Sequence, residues 1–266
     1  MAKEMKGIIL AGGMATRLFP STIVVSKQLL PVYDRPMIFY PLNTLIKGGI
    51  RDILIIVSPE YSGLFVNLLG SIFENYGVKI SFKVQRQPRG LPEAFILGES
   101  HIDHHNVALI LGDNIFEDDF SEAIKNFESG GQVFAKKVPD PERFGVVKLG
   151  ENNRAELIKE KPQEWISDYA VTGLYLYDQR VVEVAKSLKP SARGEWEIVD
   201  LHNFYLNQQE LKVTVFDGAW LDAGTHDSLL EAGMIVKEKG ISKNFHPIIE
   251  EATKEFCEIF KNSIKK

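Results

Sequence analysis

The sequence predicts an α/β protein with a mostly parallel mixed sheet and helices on both faces. Three observations carry that expectation. Short apolar runs alternate with helix-like segments through the first half, the pattern of right-handed crossover units. The second half turns to closely spaced strands joined by polar turns. No repeat, low-complexity linker or clear composition break separates the halves.

Taken in order, Gly7–Leu10 is the first strand, and a glycine pair follows it. Pro36 opens "PMIFYPLNTLIKGG", a helix ending in a glycine pair suited to a stop. Ile53–Val57, Lys79–Val84 and Val107–Leu111 are further strands, separated by the amphipathic segments Tyr61–Glu74 and Pro92–Ile102. Gln132–Val138, Gly145–Leu149, Ala155–Lys159 and Ala170–Tyr177 are the second-half strands, with the turns "PDPERFG" and "GENNRA". Helices at Asp178–Leu188 and Glu195–Gln208 precede a strand at Leu211–Phe216, the segment "AWLDAGT", and a helix from His226. In the tail, Ile249, Ala252, Phe256, Ile259, Phe260 and Ile264 fall at helical spacing. Glu250 and Glu251 lie early while Lys261, Lys265 and Lys266 lie late, which suits the helix dipole. Such a stripe packs on its own core or on another subunit, so a homo-oligomer, dimer or tetramer, is expected.

The 266 residues suffice for one large domain or two modest ones; two domains meeting near residue 131 is the alternative. The net charge of −5 argues against a general nucleic-acid binder, but a local basic cluster can still hold an anion. Cys257 is the only cysteine, so an internal disulfide and an all-cysteine metal site are excluded. No apolar stretch is long enough to span a bilayer, and "MAKEMK" has no signal-peptide core. A soluble cytoplasmic protein without membrane or nucleic-acid partners is expected. "HIDHH" at 101–105 resembles a metal cluster, but it sits at a helix end without companion ligands. It is taken as a solvated terminus.

In a parallel sheet, ligands sit at the carboxyl ends of the strands near a topological switch. "LAGGMATR" follows the first strand, "VQRQPRGL" the third and "LGDN" the fourth. Three polar turns therefore converge on one edge. Gly12 and Gly13 let a phosphate approach the backbone. Thr16 offers a hydroxyl, Arg17 a fork of donors and Lys27 a point charge. Alone, this loop is equally a tight turn with a surface arginine. It contains neither a Walker Gly-Lys pair nor the GxGxxG fingerprint, and Ala15 stands where a third glycine would open it.

Longer stretches add a resemblance. "AGGMATRLFPSTIVVSKQLLPVYDRPMIFYPL", "LILGDNIF", "VPDPERFGVVK", "KEKP", "YAVTGLYLYD", "SLKPSARGEWEI" and "AWLDAGTHDSL" resemble, in order, the motifs of the sugar-phosphate nucleotidylyltransferases. The similarity runs from Lys6 to Val236 and is strongest to the glucose-1-phosphate thymidylyltransferases. It implies a Rossmann-like sheet with sugar-binding strands packed alongside. Residues 1–236 form the catalytic domain, with the nucleotide part mainly 1–130 and the sugar part mainly 131–225. Residues 237–266 form a helical tail. The implied reaction is attack by glucose 1-phosphate on the α-phosphorus of dTTP, or secondarily UTP, giving dTDP-glucose and pyrophosphate. A catalytically silent sugar-nucleotide-binding relative is the alternative.

The resemblance assigns roles. Arg17 and Lys27 hold the triphosphate, and Leu10, Gly12, Gly13 and Thr16 complete the nucleotide loop. Gln85 and Gly90 read the base, with Gln87 a competing candidate. Gly145, Glu160, Val171 and the neighbouring Thr172–Gly173 hold the sugar. Lys161 and Arg193 neutralise the sugar phosphate. Asp113 and Asp222 bind Mg²⁺, which prefers oxygen ligands. Trp220 supports the site by packing. The catalytic set is thus Arg17, Lys27, Asp113, Lys161 and Asp222. The sequence departs from the family at Ala15, at Phe144 where tyrosine is usual, at Ala223 where threonine is common, and in the tail. None of these changes removes a required charge, so Ala15 is expected to be a tolerated methyl at a position that does not demand glycine-only dihedrals, or a slight re-aiming of the loop.

Overall fold

Continuous apolar runs build the sheet from its first strand outward. The computed structural model describes residues 4–13, 15–192 and 194–264, without the side chains of 260, 263 and 264. Among these, nine strands form the main sheet. They are β1 (Met5–Ala11), β2 (Asp52–Val57), β3 (Lys79–Val84), β4 (Asn106–Leu111), β5 (Gly131–Lys137), β6 (Gly145–Leu149), β7 (Ala155–Glu160), β8 (Tyr169–Tyr177) and β9 (Leu211–Val215). β1 lies between β2 and β4, parallel to both, with Ile8 level with Leu54 on one side and Leu109 on the other. β3 extends β2, again in parallel. The strand order therefore reverses between β1 and β4, which makes their carboxyl ends a topological switch point.

Because side chains alternate along a strand, neighbouring residues serve opposite faces. Ile9, Ile53, Ile55 and Ile110 pack on one face, with Leu42 and Leu45 of the helix Phe39–Lys47. Ile8, Leu54, Ile56 and Leu109 pack on the other, with Phe95, Val181 and Tyr205. The two amphipathic connections expected from the sequence are each interrupted. The first is a helix at Ser62–Leu69 and a 3₁₀ turn at Ile72–Tyr76, parted around Gly70. The second is split at Gly98 into Glu93–Leu97 and Glu99–Ile102.

β8 joins the two halves. Its residues Leu174–Tyr177 pair antiparallel with β4, while Ala170 and Val171 pair with β6 on the same edge. Its other edge pairs with β5, with a register shift between Val171 and Tyr175. Thr172 and Gly173 are thus skipped by the ladders, and the sheet forks there. β7 extends β6, and β9 runs parallel to β5. Strands from both sides of residue 131 therefore share one sheet.

The helix His226–Lys239 starts at a capping box between Thr225 and Ser228 and stops at Gly240. The tail is helical over Pro247–Ile264. Its first turns dock on this chain: Ile249 and Ala252 are buried, and Glu250 accepts from Arg35 at 2.7 Å. Glu255 accepts from Asn75 at 3.0 Å and from Tyr76 at 2.9 Å. Further along, Ile259 is exposed. No helix among the described residues is long and apolar enough to cross a membrane.

Candidate active site

Two adjoining cavities open at the carboxyl edge of the sheet, of about 410 Å³ and about 310 Å³. Leu91, Glu160, Lys161 and Ile198 line both.

Leu10, Gly13, Gln85 and Gly90 line the smaller one. Gln85 is buried and Gln87 exposed, so Gln85 is the glutamine at the cavity wall. Its Nε2 donates to Glu93 Oε2 at 2.8 Å. The two loop glycines differ in duty. Gly13 has open space where a side chain would stand, whereas a side chain on Gly12 would strike Gln85 Oε1. Gly90 has φ +110 and backs onto the Trp196 backbone, which leaves no room for a β-carbon. Thr16 is exposed and lines neither cavity.

Ala15 overturns its expectation. It is left-handed, with φ 48 and ψ 38, a conformation that costs a non-glycine residue about 1–2 kcal/mol. Its carbonyl accepts from Leu18 N and from the Thr22 hydroxyl, both at 3.0 Å. The position favours glycine after all, and the alanine is held there by its surroundings.

The larger cavity collects Arg17, Asp113, Gly145, Glu160, Val171 and Asp222. Asp113 follows β4, and the next residues, Asn114–Phe116, pair antiparallel with Trp220–Asp222. This small ladder sets Asn114 opposite Asp222 and so brings the two aspartates together from distant parts of the chain. Arg17 closes the same corner: a β-carbon on Gly224 would stand 3.0 Å from Arg17 Nη2 and 3.2 Å from Asp222 Oδ1.

The carboxylates are electrostatically distinct. Burial pushes Asp113 up, but the Lys27 ammonium and hydrogen bonds from Lys27 and Asn114 outweigh it and hold the carboxyl below its ordinary range. Burial and the negative charge of Asp113 raise Asp222, against Lys27, Arg17 and Arg143. Lys27 itself lies on Asp113 and lines neither cavity. Two partly buried carboxylates that repel each other are an oxygen ligand set suited to a hard divalent cation.

Glu160 ends β7, and the Lys161 ammonium lies 3.7 Å from its Oε1. Lys161 has φ 40 and donates its N–H to Phe144 O at 3.0 Å. A left-handed lysine where the cavities meet is the kind of backbone strain that gathers at functional sites. Arg193 lies outside the described residues. Trp220 lines the cavity and packs there, its ring 4.9 Å from that of Phe144.

Other contributors escaped the sequence. Asn114 Oδ1 accepts from Trp220 Nε1 at 2.6 Å and from Gly173 N at 3.0 Å, and its Nδ2 donates to Asp113 Oδ1 at 3.2 Å. It fastens the fork in β8 to the aspartate corner. His202, on the helix Ile198–Asn207, is fully buried in the wall, with Nδ1 2.6 Å from the Tyr177 hydroxyl. Burial pushes it down to about 3, so its ring is neutral. "LGDN" and the run from Ile198 were the only signals, and neither distinguishes a site residue from a core one. His101 also departs from expectation. It is not solvated; its Nε2 lies 3.0 Å from Gly7 O and its Nδ1 3.7 Å from Asp52 Oδ1. No three-ligand metal cluster is present among the described residues.

The chain is similar to known proteins in sequence and in fold. The nucleotidyl transferase family profile matches residues 6–239. The glucose-1-phosphate thymidylyltransferase of Neisseria meningitidis is 54% identical over 248 residues, spanning 91% of this chain and 86% of that protein. The enzyme of the same name from Mycolicibacterium smegmatis is 50% identical over 238 residues, 88% of this chain and 82% of that one. A crystal structure from Bacillus anthracis, described as a glucose-1-phosphate thymidylyltransferase with sucrose, superposes with a TM-score of 0.84 at 43% identity, covering 92% of this chain and 99% of that one. A UDP-glucose pyrophosphorylase bound to UDP-glucose shares the fold, with a TM-score of 0.79 at 22% identity, covering 90% of this chain and 100% of that one.

Proposed function

Because the chain belongs to the nucleotidyl transferase family, we propose that it condenses glucose 1-phosphate with dTTP to give dTDP-glucose and pyrophosphate. The observation that carries this reading is the pair of cavities meeting at Glu160 and Lys161, with Arg17 and two partly buried aspartates beside the junction. The smaller cavity takes the thymine and deoxyribose, and the larger takes the hexose. Their junction is where two phosphates must meet.

The sugar phosphate is already ionised near neutral pH, so no side-chain nucleophile is needed. A phosphate oxygen of the sugar forms a bond to the α-phosphorus. The bond from that phosphorus to the bridging oxygen breaks, and pyrophosphate leaves with the electron pair. Positioning and charge stabilisation do the catalysis. Arg17 donates to the triphosphate and the departing pyrophosphate. Lys161 balances the sugar phosphate. Glu160 accepts from hexose hydroxyls, and the backbone of Gly145 and Val171 bounds the ring. Lys27 leaves Asp113 for the phosphates when the nucleotide enters. Asp113 and Asp222 would hold Mg²⁺, which would offset the repulsion between the two anionic substrates.

The test is steady-state competition among dTTP, UTP, dCTP and CTP with a panel of sugar 1-phosphates. We expect dTTP first and UTP second; UTP lacks the methyl, worth only about 10–200-fold in an apolar pocket, and adds a 2′-hydroxyl, whose effect dUTP run alongside separates from that of the methyl. A preference for CTP overturns the assignment.

A further inference from the structure

We propose that Glu93, which lines neither cavity, sets the polarity of the base site by locking the Gln85 amide in one orientation. Gln85 and Glu93 are 4% and 3% exposed. The Glu93 carboxylate accepts three hydrogen bonds and makes one further ion-pair contact. Oε2 takes Gln85 Nε2 at 2.8 Å and Arg89 N at 3.1 Å; Oε1 takes Arg89 Nε at 2.8 Å and lies 2.7 Å from Arg89 Nη2. Arg89 is steadied in turn by the Trp196 ring, 5.0 Å from its guanidinium carbon, and by its carbonyl, which accepts from Trp196 N at 2.8 Å.

A glutamine amide has a donor end and an acceptor end, and nothing intrinsic to it says which faces a ligand. A carboxylate removes that freedom, because it only accepts. Turning the Gln85 amide over would place its carbonyl oxygen against Glu93 and forfeit a charge-assisted hydrogen bond. The NH₂ end is therefore held inward. Oε1 is the end left over; it lies beside Gly12 and has no hydrogen bond from any described residue. Gln85 thus presents an acceptor to the smaller cavity, which it lines. Thymine and uracil offer N3–H to such an acceptor. Cytosine offers a lone pair at N3, and two acceptors face each other. Glu93 is a positioning residue for pyrimidine choice.

This inference rests on the nucleotide reading of the smaller cavity, and binding measured without turnover tests it separately. Calorimetry of dTTP and dCTP with the full chain, with no sugar phosphate present, reads the base site alone. In the unaltered protein dTTP should bind at least about tenfold more tightly than dCTP, the scale of one well-placed polar contact. Glu93→Gln, whose amide can face Gln85 with either end, should shrink that gap to about threefold or less. The loss should appear as weaker dTTP binding and higher KM, with kcat little changed. A merely structural role would leave the dTTP-to-dCTP ratio where it was. Should Glu93→Gln fail to fold, 3-methyl-dTTP tests the same geometry in the unaltered protein. Lacking the N3–H, it should bind at least about tenfold less tightly than dTTP. An unchanged ratio in a folded Glu93→Gln protein, or equal binding of 3-methyl-dTTP and dTTP, overturns the inference. Selective dTTP binding without turnover would sink the proposed reaction and leave the base lock standing; no binding of either nucleotide would sink both.

Discussion

Replacing Ala15 with glycine relieves a backbone position that the chain holds at a cost. At φ 48 and ψ 38 the alanine Cβ crowds its own carbonyl, for which about 1–2 kcal/mol is the usual penalty. Glycine removes that penalty but brings a more mobile unfolded chain, which costs about 0.4–1 kcal/mol. The difference is a net stabilisation of about 1 kcal/mol. For a chain of 266 residues, an unfolding entropy of about 2.1 cal/mol/K per residue converts 1 kcal/mol into a rise in Tm of about 2 °C. The hydrogen bonds that Ala15 O accepts from Leu18 and Thr22 are backbone features and survive the change. Urea unfolding should therefore show a higher midpoint at unchanged slope, and calorimetry should show the small rise in Tm. Turnover should change by no more than about threefold, because Arg17 and the aspartates are untouched. Ala15→Val should move stability the other way, since a β-branched residue fits a positive φ worst. A glycine variant less stable than the natural protein by 1 kcal/mol or more would refute the left-handed assignment.

Three further outcomes are expected. Asp222→Asn relieves repulsion with Asp113, so its melting point should hold or rise while turnover falls about 10²-fold or more, and a chelator should abolish turnover in the natural protein; full activity in either arm contradicts the cation role. His202 is held near 3 when folded against about 6.5 when unfolded. The folded state then binds fewer protons, so stability is complete above about pH 6.5 and falls toward pH 3 by roughly 1 kcal/mol per unit; His202→Asn should flatten this slope in denaturant titrations, and an equally steep slope would count against a buried neutral ring. Deleting the chain after Phe245 exposes the seat of Ile249 and Ala252 and breaks the Arg35–Glu250 pair, which should cost about 2–4 kcal/mol; an unchanged melting point would show the tail is not docked.

The strands were legible because short, uninterrupted apolar runs bounded by turn residues mark strands covered on both faces, as in "GIIL" and "DILIIV". The breaks at Gly70 and Gly98 were not, since a single glycine is tolerated within a helix and only packing decides whether the helix continues. The site was legible where motif and position coincide: Gln85, Gly90, Glu160, Lys161 and both aspartates line or border the cavities. Lys27 reads as a phosphate ligand, yet it is paired with Asp113, a contact that spacing cannot reveal. Asn114 and His202 were invisible because their importance lies in partners far away in sequence. Glu93 reads as one more acidic residue in a first helical turn until its partners are seen. Ala15 misled for a different reason: backbone handedness belongs to the turn, and the residue occupying it need not be the one that fits best.

The fork in β8 also governs how the chain can be made. β1 to β4 complete a parallel sheet once residue 111 has been synthesised, but the free edge of β4 waits for Leu174–Tyr177. At ribosomal speeds of about 5–20 residues per second, roughly 60 further residues take about 3–12 s. Throughout that interval the nascent chain carries an open edge of Asn106–Leu111, apolar and strand-forming, which is the kind of surface that recruits a wrong partner. The catalytic corner comes later still, because Asp222 must emerge before it can meet Asp113. The strand that lines the larger cavity is therefore also the one that ends the exposure of the β4 edge.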